Sequence, residues 1–286
     1  MQFGDLKLTL VNGGNFRLDG GAMHGVVPKT IWSKLVSCDA LNRCEYATNC
    51  LYVEGRGQRV LIETGNGDKF PEKERRIYGI DHDQSAEKNL RALGVEPESI
   101  THVVMTHLHF DHSGGTTRHT AAGGAGRLEP IFSRAKHVVQ RKEFEAATHP
   151  HERNQASYLA ENIAPLDDAH LLQLCDGETE IAPGVRVVPT PGHTPGHQSV
   201  LIDDGAGHKV LFLGDVVPTA IHVRLPFIMA YDLDVTATLE SKRKILGQAR
   251  DERWLLVFGH DLQTHAGYLG VDARGQLAIT EPVALS

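Results

Sequence analysis

The chain has 286 residues, with 29 lysines and arginines against 36 aspartates and glutamates, giving a formal charge of -7 at neutral pH. Phosphate backbones are held by clustered Lys and Arg, so this balance argues against a nucleic-acid partner. No run approaches the roughly 20 apolar residues of a membrane span, and residues 1–10 lack the basic and apolar regions of an export signal, so no membrane partner and a cytoplasmic location are expected.

Short apolar runs predict strands over 6–11, 50–53, 60–63 and 102–105. The glycine-rich stretch 19–29 reads as a loop, lying over a site or covering a sheet edge. Cys38, Cys44 and Cys50 recur every six residues, with Cys175 far away. That spacing is not a zinc knuckle. The even count permits two disulfides, but reduced, partly buried thiols are expected in a cytosolic protein. A helix is expected over 85–93, with Ser85 as N-cap and Gly94 just past its end. Stretches 120–126 and 149–155 read as surface loops, 137–139 as a strand, and 142–147 and 235–249 as helices. With no linker or short-period repeat, residues 1–286 are read as a single domain around one layered core.

The strand at 102–105 runs into Thr106-His107-Leu108-His109-Phe110-Asp111-His112. Imidazole nitrogens and carboxylate oxygens suit zinc and similar divalent ions. Four such ligands within six residues are too many for one catalytic ion that keeps a position open for water, so two ions sharing one site are expected. With 17 histidines in the chain a His-rich solvated loop is the competing reading. It is disfavoured because the cluster lies between a buried strand and the Ser113-Gly114-Gly115 turn, where open α/β sheets place their chemistry. Three further signals have the same form. Residues 185–188 lead to Pro191-Gly192-His193-Thr194-Pro195-Gly196-His197, 209–213 to Gly214-Asp215, and 254–258 to Gly259-His260-Asp261. Any one of these reads as a turn, whereas four polar groups each emerging from an apolar strand point to one shared site.

These motifs closely resemble the metallo-β-lactamase superfamily, over most of the chain. The resemblance implies an α+β fold, the αββα sandwich of two mixed β-sheets flanked by helices. It implies that His107, His109 and His193 hold one ion, that Asp111, His112 and His260 hold the other, and that Asp215 bridges them. His197 is then a hydrogen-bond partner behind the ligands. Residues 61–67 resemble the family's early strand and Asp-Thr-Gly turn, with Glu63 where Asp is usual. Within the superfamily, THLHFDHSGG with TPGHTPGHQS is most similar to the N-acyl homoserine lactonases and methyl parathion hydrolase-like enzymes. Those lactonases carry a substrate-contacting tyrosine three residues after the bridging aspartate. Here that position is Pro218, and His222 or Tyr231 are the candidates to fill the space.

The expected cofactors are two divalent ions, zinc first, with iron, manganese or cobalt as alternatives. Such a pair provides hydroxide at neutral pH and polarises a substrate oxygen, with Asp111 passing a proton to the leaving group. No Gly-x-Ser-x-Gly elbow competes with this chemistry. Residues 221–231 are mostly apolar, and His222, Phe227, Met229 and Tyr231 are candidates for a substrate pocket, with ordinary core as the alternative. The resulting expectation is a binuclear zinc hydrolase of lactones or carboxylic esters with a small-molecule substrate. A β-lactamase, a glyoxalase-type thioesterase and a phosphotriesterase would use the same site. A nuclease is disfavoured by the acidic balance, and the di-iron oxidoreductases typically place Glu where His109 stands. A non-catalytic scaffold need not retain every ligand. Many members of the family are dimers, which makes a homodimer possible by analogy.

Overall fold

In the strand Gln58–Ile62, Val60 and Ile62 face a core shared with Val200, Val210 and Phe212, while Leu61 between them packs with Leu90 and Val103 on the opposite face. The strand Lys209–Phe212 repeats this, Val210 and Phe212 pointing inward and Leu211 toward Ile245 and Leu246. Both faces are covered, so such strands read in sequence as continuous apolar runs although their side chains alternate. Each fully buried Val, Leu, Ile or Phe contributes about 1.5–3 kcal/mol relative to exposure.

The computed structural model describes residues 1–121 and 126–285. The centre of the expected 120–126 loop therefore lies outside the described residues. One seven-stranded sheet has the spatial order Gln2–Phe3, Leu6–Asp19, Arg43–Gly55, Gln58–Ile62, His102–Val104, Lys136–Gln140 and Leu172–Cys175. The first four strands pair antiparallel and the last four parallel. The other runs Thr179–Ala182, Val185–Pro189, Gln198–Asp203, Lys209–Phe212, Leu255–Val257, Ala266–Val271 and Leu277–Val283, antiparallel except where Lys209–Phe212 meets Leu255–Val257. The helices Ala86–Ala92 and Ala160–Asp168 pack on the outer face of the first sheet, and Val235–Asp251 on that of the second. This is the helix–sheet–sheet–helix sandwich expected from the resemblance.

Parallel pairing decides where the site lies. Ile62 is in register with Val104 and Phe212 with Val257, so the segments that follow these strands leave at the same ends of their sheets. The two sheets are joined there by hydrogen bonds. Asn49 Nδ2 donates to Phe258 O at 3.0 Å and Asp261 O at 2.8 Å, and Gln198 Nε2 donates to Met105 O at 2.9 Å.

Several elements differ from their expected form. The first long strand runs Leu6–Asp19 rather than stopping at residue 11, because an irregularity between Asn12 and Asn15 absorbs Gly13 and Gly14 without ending the pairing. Its partner likewise extends over Arg43–Gly55. Part of the expected 19–29 loop is a short helix, Gly20–His24, whose N-cap Asp19 accepts from Ala22 N–H at 2.8 Å. The expectation of four reduced thiols is corrected: Cys38 and Cys44 form a disulfide, while Cys50 and Cys175 are free and buried. The cause is a tight turn, in which Asp39 N–H donates to Arg43 O and Asn42 N–H to Asp39 O, bringing the two Cα atoms to 4.0 Å. A six-residue spacing alone does not reveal that turn.

Alkylation of the unfolded protein without reductant should therefore add two groups, and four after reduction, read by intact-mass spectrometry. Four groups without reductant would contradict the bridge.

Candidate metal centre

The strand His102–Val104 ends in a loop whose shape Glu63 controls. Glu63 has a φ of +66°, a left-handed conformation that costs a non-glycine residue about 1–3 kcal/mol. Its buried carboxylate offsets this by accepting Thr106 N–H on Oε1 at 2.9 Å, while Oε2 lies 3.3 Å from His112 Nδ1. The side chain thus holds the start of the loop and the His112 ring together. His107 and His109 come from the loop, and Asp111 and His112 from the one-turn helix Phe110–Ser113 that follows. His193 and Asp215 emerge after Val185–Pro189 and Lys209–Phe212, and His260 after Leu255–Val257. All seven are buried.

The structure brings these seven together around the Asp215 carboxylate, whose two oxygens face different partners. Oδ2 lies 3.3 Å from His193 Nε2 and 4.0 Å from His107 Nε2. Oδ1 lies 3.0 Å from His260 Nε2 and 3.5 Å from His112 Nε2. Asp111 Oδ2 is 3.5 Å from both His112 Nε2 and His260 Nε2. Ligand atoms of His107, His109 and His193, of His107, His112 and Asp215, and of Asp111, His112 and His260 lie within 4.8 Å of one another.

Hydrogen bonds behind the rings settle which nitrogens face inward. His260 Nδ1 donates to Ala47 O at 2.7 Å, His193 Nδ1 to Asp232 Oδ1 at 2.8 Å, and His112 Nδ1 faces Glu63. The opposite Nε2 atoms then carry lone pairs, yet His260 Nε2 and His112 Nε2 are 3.1 Å apart, as are His193 Nε2 and His109 Nδ1. Converging lone pairs repel unless a cation or proton lies between them. Among the described residues His107 Nε2 is buried without a hydrogen-bond partner. This donor set fits divalent cations bound through imidazole and carboxylate.

The electrostatics agree. Burial, reinforced by neighbouring imidazoles, holds His107 and His109 well below the usual histidine range. Burial also opposes charge on His112, but the Asp111, Asp215 and Glu63 carboxylates outweigh it and hold His112 well above that range. Asp215 is kept well below the carboxylate range despite its burial, by His260, His112 and His193. Carboxylates that draw protons onto adjacent imidazoles do so in the absence of another positive charge, which a metal ion would supply.

His197 lies behind this group. Its Nε2 accepts Asp215 N–H at 2.9 Å, and its Nδ1 lies 3.1 Å from Thr190 O, which it faces as donor. Gly214, at φ +61°, makes the approach possible, since a Cβ there would sit 2.8 Å from His197 Nε2.

One residue not singled out from the sequence is central to the positioning. Glu143, on the helix Arg141–Thr148, is fully buried. Its Oε1 accepts Leu108 N–H at 3.0 Å and the Tyr158 hydroxyl at 2.9 Å, and its Oε2 accepts the Thr194 hydroxyl at 2.6 Å. Leu108 lies between two candidate ligands, Thr194 follows His193, and the Tyr158 ring packs 4.8 Å from that of His109. Burial raises the carboxyl of Glu143, and these hydrogen bonds oppose the rise.

A cavity of about 110 Å³ opens onto His109, Asp111, His193, Asp215 and His260. Of the four pocket candidates, Met229 and Tyr231 line it, whereas His222 and Phe227 do not. His222 is fully buried, its Nε2 2.9 Å from Met23 O and its Nδ1 2.7 Å from Thr219 Oγ1, and Phe227 packs edge-on against it. Both belong to the supporting core. Pro218 acts through its backbone, its carbonyl accepting His260 N–H at 2.9 Å. Lys242 fixes the segment before Met229 by donating to Phe227 O at 2.6 Å and Arg224 O at 3.0 Å, and burial pushes its pKa down to about 7. The rest of the lining includes Leu18, Met23, Arg153, Asn154 and Ser157, which carry no sequence signal beyond the polarity of 149–155.

The architecture and its seam of histidines and aspartates define a metal-site protein of the αββα class. A profile of the Metallo-beta-lactamase superfamily matches residues 45–260, and the chain belongs to that superfamily. It is 35% identical over 180 residues to an N-acyl homoserine lactonase of Bacillus sp, a match covering 62% of this chain and 62% of that relative's length. The N-acyl homoserine lactonase AttM of Rhizobium radiobacter is 28% identical over 231 residues, 74% of this chain and 81% of its own. Among solved structures, a probable metal-dependent hydrolase from Staphylococcus aureus superposes with a TM-score of 0.88 at 29% identity, covering 99% of this chain and 100% of that one. AidC, a dizinc quorum-quenching lactonase, superposes with a TM-score of 0.79 over 99% of this chain and 97% of its own. At 21% identity, that likeness is one of fold.

Replacing Glu143 separates its two roles. Glu143→Gln keeps an acceptor for Leu108 and Tyr158 and a donor that the Thr194 hydroxyl can accept, so zinc affinity should change less than threefold. Glu143→Ala should lower it about 10- to 100-fold, the usual range for removing a group that orients ligands. Chelator competition measures both.

Proposed function

We propose that this protein is a binuclear zinc-dependent hydrolase of lactones and carboxylic esters. The observation that carries the reading is the division of the Asp215 oxygens, one toward His193 and His107 and the other toward His260 and His112. In this assignment His107, His109 and His193 would hold one ion, Asp111, His112 and His260 the other, with Asp215 available to both. Two divalent ions so held would supply an activated water and polarise a substrate carbonyl.

The chain's own residues supply the rest. Asp111 and Asp215 are the carboxylates lining the cavity among the described residues, and Asp215 is enclosed by imidazoles. Asp111 is therefore assigned the proton. It takes the proton released as water adds to the carbonyl carbon, and returns it to the ester oxygen as the carbon–oxygen bond breaks. A lactone then opens to a hydroxy acid. Met23, Phe110, Met229 and Leu233 give the cavity an apolar side suited to an acyl or alkyl portion. The similarity to N-acyl homoserine lactonases supports lactones as the first substrates to try.

Proton release tests the reading. Zinc-loaded protein mixed with a long-chain N-acyl homoserine lactone should acidify a weakly buffered solution, and Asp111→Ala should slow this at least about 100-fold. Chelation should abolish turnover and zinc should restore it. A metal-replete protein inert toward lactones and esters alike would sink the proposal.

Met229→Ala should raise the KM for long-chain substrates several-fold with little change in kcat. Unchanged KM values across chain lengths would remove Met229 from the acyl-binding surface.

A further inference from the structure

The segment 151–157 contributes Arg153, Asn154 and Ser157 to the cavity, and the chemistry above gives them no part. Asn154 is 5% exposed. Its Oδ1 accepts His151 N–H at 3.0 Å. Because a backbone N–H can only donate, this contact fixes which end of the amide is oxygen and directs the NH2 group away from it. That Nδ2 makes no hydrogen bond among the described residues. An amide with two donors unspent within the protein, on a residue that lines the reaction cavity, can offer them to whatever occupies the cavity.

The donor is held in place before anything binds. Asn154 N–H donates to His151 O at 3.1 Å and Ser157 N–H to Asn154 O at 2.9 Å, closing a compact turn. Phe110 N–H donates to Ser157 O at 2.9 Å, tying that turn to the helix that bears Asp111 and His112. Across the opening, Arg153 Nη2 donates to Ala230 O at 2.5 Å and Asp232 O at 3.4 Å, and Asp232 is the residue that orients His193. Asn154 is thus linked to both groups of candidate ligands.

We infer that Asn154 is a specificity determinant, donating a hydrogen bond to the carbonyl oxygen of an acylamino substituent next to the scissile ester. The inference rests on the lactone and ester reading above. The scissile carbonyl must sit at the histidines and aspartates, so in a cavity of about 110 Å³ the acceptor that meets Asn154 belongs to an adjacent group of the same molecule. A neutral amide carbonyl matches a neutral amide donor. A carboxylate or phosphate would be drawn instead to Arg153 on the same wall, whose guanidinium commits only Nη2, to Ala230 O and Asp232 O.

Asn154→Asp tests this, since it keeps an acceptor for His151 N–H and replaces the donor. For a lactone bearing an acylamino group, KM should rise roughly 3- to 10-fold, the range for a lost neutral hydrogen bond. For the same lactone without that group, KM should rise severalfold less, because the effect of the new carboxylate on the cavity is common to both substrates and the lost donor is not. Equal effects on both substrates, or none on either, overturn the inference. If wild-type protein opens no lactone, which would count against the hydrolase reading alone, calorimetry still decides. The zinc-loaded wild type should bind the ring-opened acylamino hydroxy acid more tightly than its counterpart without the acylamino group, and Asn154→Asp should erase the difference. Equal wild-type affinities overturn the assignment to Asn154.

Discussion

Three segments distant in sequence meet on the carboxylate of Glu143. The loop holding His107 and His109, the loop holding His193, and the segment that brings Tyr158 against His109 each send it one donor. An ionisable group without exposure is expensive unless its lone pairs are used, and here three hydrogen bonds use them. The cost of burial and the order of the loops are therefore coupled. Withdrawing any one donor weakens the reason for the carboxyl to be there, and removing the side chain altogether frees all three loops.

The histidines around Asp215 follow the same logic with the sign reversed. A folded core normally avoids gathering six histidine and aspartate partners about one carboxylate, because imidazoles cannot all be charged in a small volume and carboxylates cannot be left bare. What makes the arrangement tolerable is that four of the five histidines have a fixed partner on the outward ring nitrogen: Asp232, Glu63, Ala47 O or the Thr106 hydroxyl for His193, His112, His260 and His107. These partners orient the rings before any ion binds. The neutral His197, its pKa pushed down to about 3 by burial, does the same for Asp215 through its backbone N–H.

The layered fold was legible in the sequence because apolar runs ending in Thr106, Gly214 and Gly259 carry their polar residues at strand ends, and the resemblance supplied the order of the layers. Glu143 was not legible: it is one glutamate on a helix rich in charge, and its partners lie 35, 15 and 51 positions away. Asn154 was equally hidden, since a polar residue in a polar loop has the composition of any surface turn. His222 and Phe227 illustrate the opposite error. Their segment is apolar enough to line a pocket, but only the backbone path, fixed by Lys242, turns Met229 and Tyr231 toward the cavity and their neighbours into the core. The paired Cys38 and Cys44 depended on a turn at residues 39–43 that spacing does not encode.

The hydrogen bonds from Asn49 and Gln198 that join the sheet ends also define a seam between two halves of the chain. His107, His109, Asp111 and His112 approach it from one sheet, and His193, Asp215 and His260 from the other. Neither half encloses the site alone. An ion bound across the seam would act as a clasp, held only while both sheets are folded and docked. Loading and assembly would then be one cooperative event, and a chain with either sheet unravelled would return its ions to the surrounding pool rather than sequester them.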